Sequence, residues 1–165
     1  MIISILVVLK TGAAHIPISP DFPSDRTKYI LEDTNSTILL SQAHLTDKLS
    51  EVAQDIEIIA TDLQEFQNYS KNNLSTNVQP NNLAYIIYTF GTTGQPKRVM
   101  IEHISIINRV VWMQSIYPLT NRILQKTPYN FDVSIWKLLW ANWYGAAIVI
   151  TKPEGHKDCD YIYIS

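Results

Sequence analysis

Residues 88 to 97 read Tyr-Thr-Phe-Gly-Thr-Thr-Gly-Gln-Pro-Lys, a stretch rich in groups suited to holding an anion. Thr89, Thr92 and Thr93 offer hydroxyls, Gly91 and Gly94 allow positive φ and close backbone approach, and Lys97 brings a fixed charge after the turn-setting Pro96. That inventory suits a polyphosphate. The same residues could instead form a hydrogen-bonded turn, and Gly94-Gln95-Pro96-Lys97 lacks the Gly-Lys-Ser/Thr ending of a Walker A loop. Elsewhere the reactive side chains stand alone. His103 and Arg109 fall on a helical pattern, where a single His serves most often as a cap or surface donor. Cys159 is the only cysteine, so no internal disulfide or cysteine-based zinc site can form, and a reducing compartment is the simplest setting.

A phosphate loop needs a rigid element in front of it. Leu83 to Tyr88 supplies one, being rich enough in β-branched and aromatic residues to read as a strand buried on both faces. Upstream, Ile2 to Leu9 reads as a buried helix, because it lacks both the basic start of a signal peptide and the roughly 18 to 20 apolar residues of a membrane span. Pro17, Pro20 and Pro23 enforce an extended path, after which Ser24-Asp25 can cap a helix through Tyr29, Ile30 and Leu31 that ends near residues 33–35. A strand at 36–40, an amphipathic helix at 42–53 carrying Leu45, Leu49 and Val52, and a strand at 56–60 predict a parallel βαβ unit. Residues 62–82, crowded with Asn around Pro80, read as a surface loop of low complexity.

Beyond the loop, residues 102–116 carry Ile104, Ile107, Val110 or Val111 and Gln114 at helical spacing, and Pro118 ends the pattern. A strand at 123–127 leads to a helix capped by Asp132 or Ser134 and running to about Tyr144, with Gly145 at its C′ position and a strand at 146–150. Trp136, Trp140 and Trp143 fall on one face of that helix, and core packing is the ordinary role of such a stripe.

At 165 residues, 46% hydrophobic and 17% charged, the chain is long and apolar enough for a globular domain. Residues 1–80 hold 5 Lys/Arg against 10 Asp/Glu and residues 81–165 hold 8 against 5, so the half with the loop is the positive one. That excess is too small to argue for nucleic acid. With no membrane segment either, the cytoplasm is the expected location.

LAYIIYTFGTTGQPKRVMIEH resembles the phosphate-binding signature of the adenylate-forming enzymes, in the form LAYxxYTSGTTGxPKGVxxEH of the amino-acid adenylation domains of nonribosomal peptide synthetases. MIISILVVLKTGAAHIPISPDFP is similar to the family's LKxGxAYxPxxPxxP segment, and LQKTPYNFDVSIWKLLW to LQKTPxxFDxSVWE. The resemblance implies an α/β fold, namely an incomplete part of the large N-terminal region of an adenylate-forming enzyme, mainly parallel sheet with flanking helices. Residues 1–165 would form a partial AMP-binding domain, with the Asn-rich loop at about 62–82 and the C-terminal subdomain absent.

The implied chemistry is that of an AMP-forming ligase in secondary metabolite biosynthesis. An amino-acid carboxylate attacks the α-phosphorus of ATP with Mg²⁺ present, and the aminoacyl adenylate passes to a carrier-protein domain. Carried over by position, Thr89, Gly91, Thr92, Thr93, Gly94 and Lys97 hold the ATP phosphates. Asp132 pairs with the substrate's α-ammonium group, while Val133 and Trp136 line the side-chain pocket and resemble the start of the serine-type pattern. A carboxylate facing an amine makes a charge-assisted hydrogen bond, although Asp is also a favoured helix cap. No metal ligand is implied in this chain.

Phe90 stands where the family has Ser, Arg98 where it has Gly, and Lys137 where it has Glu. If Arg98 occupied a backbone site of positive φ, it would cost roughly 1 to 2 kcal/mol. These departures, and the missing downstream segments, predict little activity for the chain alone. The reading from a different class is a noncatalytic nucleotide-binding or protein-interaction module.

Overall fold

A computed structural model describes residues 1–63, 65–89, 95–152, 155 and 158. Two compact units emerge, one made of residues 1–77 with 88–97, the other of residues 78–87 with 98–165.

The first unit opens with helix α1 (Ile2–Thr11), which buries Ile5. Gly12 ends it at φ 83, a left-handed conformation that favours glycine, and its N–H donates to the Leu9 carbonyl. Helix α2 (Ser24–Asp33) turns Thr27, Ile30 and Leu31 inward. Its cap position is Pro23 with no side-chain cap, so Ser24 is the first helical residue and not the expected cap. At the other end the Thr34 hydroxyl donates to the Ile30 carbonyl at 2.7 Å, and Asn35 takes φ 47 to redirect the chain.

Strand β1 (Ile38–Ser41) pairs in parallel with β2 (Glu57–Ala60), Ile38 opposite Glu57 and Ser41 opposite Ala60. This is the expected βαβ unit. Its crossover is not one helix over 42–53, however, but a 3₁₀ turn (Ala43–Leu45) followed by the short helix α3 (Thr46–Ser50). Each end of this crossover carries a side-chain hydrogen bond. Asp62 accepts from the Ala43 N–H at 2.9 Å, and the Ser50 hydroxyl donates back to the Asp47 carbonyl at 2.7 Å, competing with helix propagation.

Strand β3 (Leu83–Thr89) buries every residue from Ala84 to Tyr88, as its composition predicts. It pairs with β4 (Lys97–Glu102), a strand that hydrophobic patterning did not reveal. The link between them, residues 90–96, is far shorter than the dozen or so residues of a parallel crossover, which makes the pair a hairpin.

In the second unit, helix α4 (His103–Ile116) buries Ile106 and Val110. The periodic set read from sequence is only partly right, since Ile104, Ile107 and Val111 are exposed. α4 is apolar around most of its circumference, so spacing alone could not select its inward face. Helix α4 packs on α5 (Asp132–Trp143), and α5 lies against β5 (Arg122–Gln125) and β6 (Ala147–Ile150), a second parallel pair. The end of α5 is a Schellman turn: the Ala146 N–H reaches back to the Ala141 carbonyl at 2.9 Å and Gly145 sits at φ 66. Of the tryptophan stripe, Trp140 is in the core, Trp136 is half-buried and Trp143 is exposed.

Candidate functional site

The base of the loop at residues 88–97 is held by α2. Arg26, its guanidinium 4.2 Å from the Phe22 ring, donates to the Tyr88 carbonyl at 3.2 Å, and the Tyr88 hydroxyl donates to the Asp33 carboxylate. Tyr29 meets the Tyr88 ring edge-on at 6.3 Å. These contacts fix the last buried residue of β3, so that Thr89 emerges from a rigid point. Across the loop's mouth the Thr89 hydroxyl donates to the Lys97 carbonyl at 3.3 Å. Lys97 itself is exposed, and among the described residues no carboxylate pairs with it. Its ammonium is available to an anion. Gly91, Thr92, Thr93 and Gly94 lie outside the described residues, as does Phe90.

Arg98 corrects an expectation. It lies within β4, and among the described residues Asn35 and Asp55 are the non-glycine ones with positive φ, so its backbone is ordinary extended chain and the anticipated strain does not arise.

The second group of predicted site residues lies at the start of α5. Asp132 is the first residue of the helix, and its Oδ1 accepts from the Val133 N–H at 2.8 Å. The cap position belongs to Phe131, without a side-chain cap, and Ser134 donates to the Phe131 carbonyl at 2.7 Å instead of accepting from the helix. Neither proposed cap therefore caps. Asp132 is exposed, and among the described residues its Oδ2 has no partner, leaving an acceptor edge at the positive end of a helix. Val133 is half-buried beside it, and Trp136 follows one turn along.

Sequence reasoning missed Tyr85 in β3. Its phenol pKa is raised by burial first and then by the negative charge of Asp132, so the strand entering the loop also brings a hydroxyl near the carboxylate. The available signal was a tyrosine inside an otherwise apolar buried strand, where a polar tip needs a destination. Nearby, burial and then the Lys126 charge lower the pKa of Lys137.

Trp136 is framed by neighbours. Its ring centroid is 6.0 Å from that of Trp140 with planes inclined at 42°, and the Arg109 guanidinium stands 5.2 Å from it. His103 begins α4, where its backbone N–H donates to the Asn82 carbonyl at 3.0 Å. Among the described residues no three His, Cys, Asp or Glu side chains gather into a metal site. No helix among them is long and apolar enough to cross a membrane.

Residues 1–164 match the family model described as AMP-binding enzyme. The chain belongs to that family. Within it, the sequence is 44% identical over 98% of its length to a mycosubtilin synthase of Bacillus subtilis, and 41% identical over 98% to tyrocidine synthase 3 of Brevibacillus parabrevis. It spans only 6% and 2% of those two proteins. Among solved structures, a nonribosomal peptide synthetase, FmoA3, bound to α-methyl-L-serine-AMP superposes with a TM-score of 0.83 at 27% identity, covering 92% of this chain and 16% of that one. The AMP-binding chain is thus of the nonribosomal-peptide-synthetase adenylation type, with the α/β architecture of the N-terminal region of adenylate-forming enzymes.

Proposed function

We propose that this AMP-binding chain carries the phosphate loop and the amine anchor for ATP-dependent activation of an amino acid. In that reaction the amino-acid carboxylate attacks the α-phosphorus, an acyl–phosphate bond forms, the α–β phosphoanhydride bond breaks and pyrophosphate leaves. The work left to these residues is positioning and charge stabilisation. Lys97 meets the polyphosphate, Thr89 and the glycines and threonines of residues 91–94 follow its oxygens, and Asp132 accepts from the α-ammonium group. The observation that carries this is the Oδ2 of Asp132, without a partner among the described residues, at the exposed start of α5, one turn from Trp136.

Val133 and Trp136 then face the substrate side chain, and a small hydroxylated one is the class these positions favour. The bound α-methyl-L-serine-AMP of FmoA3 supports that class. ATP use has the same kind of support, since an FmoA3 structure of equal likeness holds AMPPNP. The aminoacyl group would pass to a carrier-protein thiol.

The test is ATP–pyrophosphate exchange by a chimera in which residues 1–165 replace the matching region of a serine-activating adenylation domain. Serine-dependent exchange is expected, with Asp132→Ala lowering it about 10- to 100-fold, the worth of a charge-assisted hydrogen bond. Exchange indifferent to Asp132 would overturn the assignment.

A further inference from the structure

The Arg109 guanidinium lies 5.1 Å from the Trp112 ring and 5.2 Å from the Trp136 ring, both within cation–π range. Among the described residues no carboxylate competes for it, although the side chain is exposed. Trp112 belongs to the same helix as Arg109, whereas Trp136 belongs to α5. A planar cation shared between two rings is therefore a strut from one helix to the other. Beyond Trp136, Trp140 is itself pinned to α4, its indole N–H donating to Gln114 Oε1 at 2.6 Å. Trp136 thus stands between a fixed neighbour and a shared cation.

We propose that Arg109 is a positioning residue, which holds the Trp136 ring in one orientation and thereby sets the size of side chain accepted next to Asp132. This rests on the reading of Trp136 as a pocket residue. A half-buried indole has two torsions to satisfy, and a ring free to swing would vacate or fill the space of several carbon atoms. Lys137, with Nζ 5.9 Å from the Trp136 ring, is no substitute: an ammonium is a point charge without the flat face that stacks on two rings. Arg109 is not asked to touch the substrate.

The experiment uses the 165-residue chain labelled with 5-fluorotryptophan, the Trp136 resonance being assigned with Trp136→Phe. Arg109→Ala is expected to shift and broaden that resonance while leaving the Trp143 line in place, and Arg109→Lys to give an intermediate line. Titrations with serine and phenylalanine, read by calorimetry, should show the ratio of their affinities changing at least about fivefold in Arg109→Ala. Because Arg109 is exposed, a thermal melt of each variant should stay cooperative, with Tm lowered by no more than a few degrees, the worth of exposed cation–π contacts. An unmoved Trp136 line, or a moved line with an unmoved affinity ratio, overturns the positioning role. Absence of any amino-acid binding, or binding unaffected by Asp132→Asn, overturns instead the substrate reading beneath it.

Discussion

Gln114 Oε1 accepts two hydrogen bonds, one from the Trp140 indole at 2.6 Å and one from the Leu119 backbone N–H at 3.1 Å. One amide oxygen thereby ties α4 both to the core of α5 and to the turn that leaves α4. Trp140 is only 5% exposed, so its N–H has no ready access to water. Gln114→Ala should lower stability by about 2 kcal/mol, the cost of stranding a buried donor. Urea denaturation of Gln114→Ala, Trp140→Phe and the double variant checks this. The double should lose less than the sum of the singles, since removing both partners leaves no stranded indole.

A second prediction concerns acid. His15 is buried, its Nδ1 has no hydrogen-bond partner among the described residues, and desolvation lowers its pKa from 6.5 to about 4. The unfolded chain therefore binds a proton between those values while the folded chain does not. This contribution to stability is complete above pH 6.5 and is lost as pH falls towards 4. The loss is on the order of 3 kcal/mol at about 1.4 kcal/mol for each pH unit. Stability measured by denaturant at a series of pH values should show this slope, and His15→Leu should flatten it. An unchanged slope in His15→Leu would place the acid sensitivity elsewhere.

Much of this architecture follows from the chain's own grammar. The all-apolar run 83–88, the Gly145 stop and the paired segments around α5 were each readable because one signal outweighed its competitors. Helix α3 was not, since Leu45, Leu49 and Val52 promise a full helix while the Ser50 hydroxyl, donating back to the Asp47 carbonyl, competes with its propagation. Strand β4 escaped for a related reason. Five of its six residues are exposed, so Lys97 to Glu102 shows no burial pattern to read. Around α5 the resemblance pointed to Asp132 and Trp136, whereas the surroundings of Tyr85 and Arg109 come from neighbours distant in sequence and leave no local trace.

Lys137 gives a third prediction. Its partial burial and the proximity of Lys126 both disfavour its charge, in that order. Lys137→Glu, the residue of the family pattern, should turn a repulsion into an attraction and raise stability by up to about 1 kcal/mol, or roughly 2 to 4 °C in Tm. The gain should shrink in 1 M salt, where the screening length falls to about 3 Å. It should also shrink when Lys126 is replaced by Met. A thermal melt that is the same for parent and Lys137→Glu at low salt would refute the pairing.

The last prediction separates the two departures flanking the phosphate loop. Arg98 occupies extended backbone in β4, so the glycine of the family pattern would bring no relief from strain there. Glycine inside a strand instead costs conformational entropy and forgoes side-chain packing. Arg98→Gly should therefore destabilise the chain by roughly 0.5 to 1 kcal/mol. Phe90→Ser is different in kind, because it restores a small hydroxyl donor in the loop. In the serine-activating chimera, Phe90→Ser should raise pyrophosphate exchange and Arg98→Gly should not. A larger gain from Arg98→Gly than from Phe90→Ser would overturn this ordering.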